Sequence, residues 1–289
     1  MIERFSFDKD HRARSLFVMF NYALLAVLCL IVIFPMLKVL IDSFDRSAAL
    51  IDFRLFPKEF SLDAYQKILS QASLYRPFLN SLIVTSTGTV LALVISGFMA
   101  YALTRRDLPG RKIMMTLLMV TMVFRAGILP LYLVVNSLGL RNTLWAVIIA
   151  HCVETYYLVL LRNFFDTIPR SIEESAELDG ATPIAIFFRI VLPLSKPGLA
   201  AIGLFYVVLY WNQFFEYIIY MDKRELYNFQ VALRDIVLVS DSSALYGFDI
   251  APEALKNAII IVNIIPVLIL YPLLQKHFVK GINLGAIKG

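Results

Sequence analysis

Long apolar runs alternate with short polar segments along the whole chain. Six of these runs carry few charges and reach the length of about twenty residues that a helix needs to cross a bilayer. The predicted spans are Leu16–Ile41, Phe78–Leu103, Ile113–Asn136, Thr143–Leu161, Gly198–Tyr220 and Leu255–Leu274. Because backbone amides cannot stay unpaired in lipid, each span is predicted to be an α-helix. The pattern indicates an all-α integral membrane protein with six transmembrane helices.

Composition supports this class. The 289 residues are 59% hydrophobic and 17% charged, with a mean hydropathy of +0.73. A soluble domain is nearer a quarter charged. The apolar runs are continuous, whereas the strands of an outer-membrane barrel alternate apolar and polar residues. A soluble enzyme and an outer-membrane barrel are both excluded by this pattern.

The basic residues collect at the ends of the spans. Four of the nine residues in Thr104–Lys112 are Arg or Lys, and further basic residues precede the first span and follow the last. Cytoplasmic loops carry an excess of Lys and Arg. We therefore predict that both termini are cytoplasmic and that the net charge of +5 reflects lipid headgroups and orientation, with no nucleic-acid partner.

The topology divides the chain into two parts. Residues 1–77 contain the cytoplasmic N-terminus, the first span and an outer segment. Residues 78–289 form the core transmembrane domain, which includes a cytoplasmic loop at 166–197.

The polar segment within that loop, from Ser171 to Pro193, is predicted to be two short helices joined at a turn. Ser171 and Glu174 have the spacing of a capping box. Gly180 is placed to end the first helix in a left-handed conformation. Thr182 and Pro183 then begin the second helix as N-cap and first helical residue. We name this helix–turn–helix segment the elbow.

The elbow also carries a spaced motif. Glu-Ser-Ala is followed after three residues by Gly, after nine more by Ile, and after one more by Leu-Pro. This resembles the EAA motif of ABC importer permeases, the cytoplasmic loop that docks on the ATPase, with serine in place of the first alanine. The resemblance assigns ATPase coupling to Glu174, Ser175, Ala176, Gly180, Ile190, Leu192 and Pro193.

Several other stretches resemble the carbohydrate-uptake branch of these permeases, among them WNQFFEYI and the ending FVKGINLGAIKG. The resemblance implies the type I ABC importer permease fold in a bacterial cytoplasmic (inner) membrane. It implies four partners: a second permease, which favours a heterodimer; two copies of an ABC ATPase; an extracytoplasmic sugar-binding protein; and an oligosaccharide substrate. ATP and Mg would bind to the ATPase, so no cofactor, metal or catalytic residue is expected in this chain.

Polar side chains occur near the middle of four predicted spans. Sugar recognition needs aromatic faces for the ring and polar groups for the hydroxyls, and polar residues inside a bilayer are costly enough to suggest function. The candidate substrate-pathway residues are Arg125, His151, Glu154, Tyr210, Trp211, Asn212, Gln213 and Asn263.

Structural explanations for these residues remain open. Arg125 and Glu154 can neutralise each other inside the bundle, and Tyr210 and Trp211 can serve in ordinary packing. Asn263 can hydrogen-bond backbone groups freed in a helix that contains proline.

Arg125 and His151 differ from the small or apolar residues usual at these positions in the related permeases. A fixed cation in the pathway would favour an acidic saccharide, such as a uronate oligomer from alginate or pectin.

Two other function classes fit the sequence less well. The chain has no GxxxxGK[ST] phosphate loop, no HExxH and no GxSxG, which are signatures of ATP binding, membrane proteases and lipases. A secondary transporter or channel would need no docking elbow and often shows inverted repeats. An intramembrane enzyme would have to rely on His151 and Glu154 alone.

Overall fold

The computed structural model describes residues 3–49, 54–124, 126–238 and 252–286, and the regular structure in these ranges is helical. The helices of the first half are α1 (Glu3–Asp42), α2 (Asp63–Ser70), α3 (Ala72–Thr104), α4 (Arg111–Val123), α5 (Ile128–Ser137), α6 (Leu144–Ala150) and α7 (Thr155–Asp166).

The second half begins with the elbow, whose first arm is α8 (Arg170–Leu178). The second arm consists of α9 (Pro183–Ile186), a π-helical turn (Phe187–Val191) and α10 (Leu192–Leu194). After the elbow come α11 (Lys196–Trp211), α12 (Phe215–Tyr220), a 3-10 turn (Arg224–Leu226), α13 (Phe229–Leu238) and α14 (Pro252–Ala286).

Among the described residues, three helical segments are long and apolar enough to cross a membrane by themselves: Arg14–Asp42, Ala72–Thr104 and Glu253–Leu270. These correspond to the first, second and sixth predicted spans. Three bent helix pairs pass the same test together, which allows up to six spans. The protein is therefore a helical membrane protein, as predicted.

The third, fourth and fifth predicted spans are interrupted. The third span divides into α4 and α5, which are bent by 118°. Gly127 has a φ of +78° and is the N-cap of α5, and Pro130 lies in the first turn of α5, where its missing amide proton costs nothing.

The fourth span divides into α6 and α7, which are bent by 53° at the break His151–Glu154. The fifth span ends as a helix at Trp211 and resumes at Phe215. At its start, α11 follows the second arm of the elbow, Pro183–Leu194, at an angle of 82°.

The described residues of 69–238 and 262–286 belong to one compact unit, and α3 is its central helix. It packs most extensively against α11 and next against α7. Four small residues on α3, spaced four apart, are buried: Gly88, Ala92, Ser96 and Ala100. A Cβ added at Gly88 would lie 2.7 Å from the Tyr210 ring, so glycine allows α11 to approach closely.

The described residues of 1–68 and 252–261 belong to a second unit. In this unit the chain after α1 folds back around the buried carboxylate of Asp45. That carboxylate accepts hydrogen bonds from the backbone amides of Lys58 at 2.7 Å, Ser47 at 2.9 Å and Glu59 at 3.2 Å.

Candidate functional site: the elbow and the broken helices

The turn of the elbow is a Schellman motif. Gly180 has a φ of +82°. Its amide donates to the Glu177 carbonyl at 3.0 Å, and the Ala181 amide donates to the Ala176 carbonyl at 2.9 Å. These two bonds satisfy carbonyls left over at the end of α8. The predicted role of Gly180 as the helix terminator is confirmed.

The predicted capping box was wrong. Helix α8 begins at Arg170 with Pro169 at the N-cap, so Ser171 already lies inside the first turn. No side chain caps this helix end. The Ser171 carbonyl instead accepts a hydrogen bond from the Ser175 hydroxyl at 2.7 Å. Helix α8 therefore starts before the position that the capping box requires. Glu174 is exposed and not held by a cap.

The predicted start of the second arm is confirmed. The Thr182 side chain accepts a hydrogen bond from the Ala185 amide at 3.3 Å, and Pro183 occupies the first turn. The helix then widens into the π-helical turn Phe187–Val191 just before Pro193. Proline lacks an amide proton and its ring clashes with the carbonyl four residues earlier. The wider turn accommodates this defect without ending the arm.

The two faces of α8 have different environments. Glu173 and Glu177 are four residues apart and share a face of the helix, and both lie within 4 Å of Arg105 at the end of α3. On the remainder of the surface, Glu174 is exposed and Leu178 is 90% exposed. One face of the first arm is therefore engaged within the chain, and the other is open.

The remaining motif residues follow the same division. Ala176, Ile190 and Leu192 pack against the buried core, whereas Ser175 and Pro193 are exposed. The second arm is anchored by the buried ring of Phe187, whose centroid lies 4.8 Å from that of Phe98, 5.2 Å from that of Tyr101 and 6.3 Å from that of Phe165.

Arg105 is held in its charged form. Burial would lower the pKa of Arg105, but the hydrogen bond to Glu177 and the nearby carboxylates of Glu177 and Glu173 together raise it above its ordinary value. The guanidinium thus remains a permanent cation facing two carboxylates.

The breaks in the fourth and fifth spans form a second polar region. Nδ1 of His151 lies 2.8 Å from Oε1 of Glu154, and Nε2 lies 3.2 Å from Oε1 of Glu216. With its amide nitrogen turned toward Glu216, Gln213 donates to that carboxylate, and its oxygen accepts from Nε2 of His151 at 3.1 Å. The structure therefore brings three of the predicted pathway residues together and adds Glu216 to them.

Helix breaks expose backbone groups, and side chains of neighbouring helices satisfy them. The Tyr210 hydroxyl donates to the Ile148 carbonyl at 2.8 Å, and the Glu154 amide donates to the Tyr206 hydroxyl at 3.2 Å. At the other break, Nδ2 of Asn228 donates to the Gln213 carbonyl. Such satisfaction is what permits irregular backbone at membrane depth.

Trp211, Asn212 and Asn263 make contacts with residues outside this cluster. Trp211 is buried with its ring edge against Phe78, at a centroid distance of 5.9 Å. Asn212 is exposed and donates to its own helix at Val208. Oδ1 of Asn263 accepts from Gln230 at 3.3 Å. Arg125 lies outside the described residues.

Comparison with known proteins identifies the family. Residues 92–284 match the family described as binding-protein-dependent transport system inner membrane component. The chain belongs to this family. Its members are membrane permease subunits of ABC importers and are not enzymes.

One relative of this permease is named for polysaccharide transport. The chain is 44% identical, over 95% of its length and 99% of the relative, to the polygalacturonan/rhamnogalacturonan transport system permease protein YtcP of Bacillus subtilis. It is 39% identical to Protein LplC of the same species, over 96% of this chain and 97% of the relative. These matches confirm the predicted carbohydrate importer permease family.

A solved structure shows the same architecture. The permease superposes with a TM-score of 0.86 and 30% identity on a chain from the crystal structure of a bacterial ABC transporter involved in the import of the acidic polysaccharide alginate. The match covers 92% of this chain and 98% of the other. The predicted ABC importer permease fold is confirmed.

Sequence reasoning missed several residues of both sites. Glu216 is an acid within a predicted apolar span, and that position alone was a sufficient signal. Arg105 was interpreted only as a marker of orientation. The sequence pattern could not reveal which residues contact Glu173 and Glu177, because those partners lie about seventy residues earlier in the chain.

Proposed function

We propose that this permease is one membrane-spanning half of an ATP-driven importer for an acidic oligosaccharide, placed in a bacterial cytoplasmic membrane with six spans and both termini inside. The observation that carries the substrate class is the 44% identity to a permease named for polygalacturonan and rhamnogalacturonan. The likeness to a transporter involved in alginate import supports the same class. Polygalacturonan and alginate are uronate polymers.

The remaining components follow from the family's dependence on a binding protein. We assign to the complex a second, different permease, two ABC ATPase subunits and an extracytoplasmic sugar-binding protein. ATP and Mg would bind to the ATPase subunits, with no cofactor or metal in this chain. A secondary transporter or channel would function without these partners, so transport by the isolated permease would contradict this proposal.

The elbow is proposed as the part that receives the ATPase. Its exposed face offers a carboxylate at Glu174 and an apolar side chain at Leu178, while its other face is engaged within the chain. Both arms are attached to the core, so the elbow can move as one body with the helices behind it. A rigid attachment is what force transmission requires.

The charge of the pathway is assigned to Arg125. His151 has a carboxylate at each ring nitrogen, so a positive charge on its ring is offset by the neighbouring acids and is not free for a uronate. Arg125 remains the candidate cation for the substrate carboxylates. Glu154, Gln213 and Glu216 add acceptors and donors that suit sugar hydroxyls.

The experiment compares a charged sugar with its neutral counterpart. The complete transporter is reconstituted in liposomes, and sugar-stimulated ATP hydrolysis is measured with oligogalacturonides and with the same oligomers after reduction of their carboxyl groups. We expect the acidic oligomers to stimulate ATP hydrolysis at least about tenfold more than the reduced ones. A tenfold difference corresponds to the loss of one charged contact that contributes about 1.4 kcal/mol. Equal stimulation would contradict an acidic substrate.

The variant Arg125→Ala should reduce transport of the acidic oligomer and leave that of the neutral one unchanged, while Arg125→Lys should retain most of the preference. Arg141→Ala is a matched control, because Arg141 pairs with Asp222 at 2.8 Å on an exposed surface. Equal losses for both sugars in Arg125→Ala would exclude charge selection by this residue.

A further inference from the structure

The first arm of the elbow is attached to α3 by a charged side chain. Nη1 of Arg105 donates to Oε1 of Glu177 at 2.7 Å and lies 3.8 Å from Oε2 of Glu173. Nη2 of the same guanidinium donates to the Tyr101 hydroxyl at 3.1 Å. One arginine therefore connects two residues of α8 to the last turn of α3.

A second bond joins the same two elements. Nη2 of Arg170, the first residue of α8, donates to the backbone carbonyl of Thr104, the last residue of α3, at 3.1 Å. This carbonyl is one of those left without a helical partner at a helix end. The start of α8 and its acidic face are thus both bound to one end of α3.

The charged side chains cross a cleft. A cavity of about 660 Å³ lies between the end of α3, the loop after it and both arms of the elbow, and Arg105, Glu173 and Glu177 line it. Close apolar packing does not fill this space. The polar contacts are therefore the means by which α8 is held to α3 at this place, whereas Phe187 holds the second arm by ring contacts.

We propose that Arg105 is a positioning residue that couples the elbow to α3. Because it binds both elements, a displacement of the elbow moves α3 directly. This rests on the proposed function, in which the elbow receives the ATPase. Helix α3 packs against both α7 and α11, the helices that flank the elbow in the chain. A motion of α3 therefore reaches the broken helices without passing through the flanking segments of the backbone.

The chemistry favours arginine over lysine at this position. A guanidinium presents several N–H groups in a rigid plane, which lets one side chain bond to two partners at fixed angles. A lysine ammonium is a point charge on a flexible stem. Arg105 uses separate nitrogens for Glu177 and Tyr101, and lysine has one nitrogen to offer.

The test measures sugar molecules transported per ATP hydrolysed by the complete transporter in liposomes. In Arg105→Ala we expect normal co-purification with the ATPase and a fall of about tenfold in this ratio, a coupling energy in the usual allosteric range. Arg105→Lys should be intermediate. The exchange Arg105→Glu with Glu177→Arg should restore part of the ratio. Arg106→Ala, which changes the exposed neighbour, is the matched control and should leave the ratio unchanged.

An unchanged ratio in Arg105→Ala would overturn the proposal. If Arg105 has a purely structural role, the variant should give a lower yield or assemble less well, but the complexes that do assemble should have a normal ratio. That result would also overturn the proposal. If wild-type ATP hydrolysis does not respond to sugar and binding protein at all, the proposed function itself fails, which is a distinguishable result.

A covalent tie decides the matter if Arg105→Ala does not assemble. In a Cys29→Ala background, Arg105→Cys and Glu177→Cys are combined and joined by a bifunctional thiol reagent. We expect the free dithiol to be uncoupled and the linked form to regain transport, because the tie replaces the ion pair. Loss of transport in the linked form, with ATP hydrolysis intact, would show that α8 must separate from α3 and would refute the proposal.

Discussion

The Tyr210 hydroxyl donates a hydrogen bond of 2.8 Å to the carbonyl oxygen of Ile148. Ile148 lies near the end of α6, where the break in the fourth span leaves carbonyls without an amide partner. The two residues are buried, at 1% and 3% exposure. Tyr210 is thus explained by the broken helix beside it, which favours the packing explanation over contact with sugar.

Tyr210→Phe should destabilise the permease while retaining its ring packing. The Ile148 carbonyl would lose its hydroxyl donor and keep only the weaker Cys152 thiol, which lies 3.2 Å away, so the loss costs about 0.5–1.5 kcal/mol. The thermal unfolding midpoint in detergent should fall, and the variant should retain substrate selectivity. Tyr156→Phe is the control, because Tyr156 is 51% exposed and its change should have little effect. A normal midpoint with altered sugar preference would return Tyr210 to the pathway.

The sequence predicted the class and the long helices because their signal is local. Apolar runs define α1, α3 and α14, and spacing within the elbow places Gly180 and Thr182 correctly. These features depend on neighbours in the chain, so periodicity and turn chemistry suffice to find them.

The breaks at His151–Glu154 and after Trp211 were missed because tertiary contacts stabilise them. Neither break contains Gly or Pro. The hydroxyls of Tyr206 and Tyr210, from another helix, satisfy the backbone at the first. Only a three-dimensional arrangement reveals such partners, and the same is true of Arg105 and the acidic face of α8.

Gly88→Ala should disturb the contact between α3 and α11. The added Cβ would lie 2.7–2.9 Å from three atoms of the Tyr210 ring, and that ring is fixed by its hydrogen bond to Ile148. Overpacking of this kind costs about 1–3 kcal/mol. Gly97→Ala is a matched control on the same helix, since its Cβ would meet Phe187 at an ordinary 3.6 Å. Equal unfolding midpoints for the two variants would contradict the close approach.

Gly180→Ala should weaken coupling through backbone strain. A Cβ at this position meets nothing within 4 Å, so the added methyl group causes no clash. The cost comes from the φ of +82°, which an L-residue adopts at a penalty of about 1–2 kcal/mol. Gly180→Asn should be milder, since asparagine tolerates this conformation. Sugar-stimulated ATP hydrolysis should decrease in the order glycine, asparagine, alanine, and equal values would contradict the turn's role.

Asp45 should make the stability of the chain segment after α1 depend on pH only below about 3.8. Burial acts to raise the pKa of Asp45, but bonds from Lys58, Ser47 and Glu59 outweigh it and lower the pKa from 3.8 to about 2. A carboxyl with a lowered folded-state pKa contributes its full stability above the unfolded value of 3.8, and this contribution is lost as the pH falls through about 2.

Hydrogen exchange of a peptide covering residues 54–62 measures this effect. Protection should be greater at pH 5 than at pH 2.5, after correction for intrinsic exchange, and Asp45→Asn should remove the difference. Asp63→Asn is the control, because Asp63 is only half-buried and its nearest cation, Arg46, lies 3.8 Å away. A pH response that persists in Asp45→Asn would assign it to another group.

His151→Leu should be more harmful than a paired replacement that also changes Glu216. The single variant leaves the carboxylates of Glu154 and Glu216 without the ring that lies between them. Removing one partner of a partly buried charge pair leaves the other unsatisfied, at a cost of about 1–3 kcal/mol. The three side chains are 17%, 29% and 26% exposed, so solvent reduces this penalty without cancelling it.

Adding Glu216→Gln to His151→Leu removes one uncompensated charge and should restore part of the unfolding midpoint. Glu225→Gln, in the exposed 3-10 turn, is the control substitution and should restore nothing. If the double variant is no more stable than His151→Leu, the two residues contribute to stability independently. The contact between Nε2 of His151 and Glu216 would then not stabilise the packing of the two broken helices.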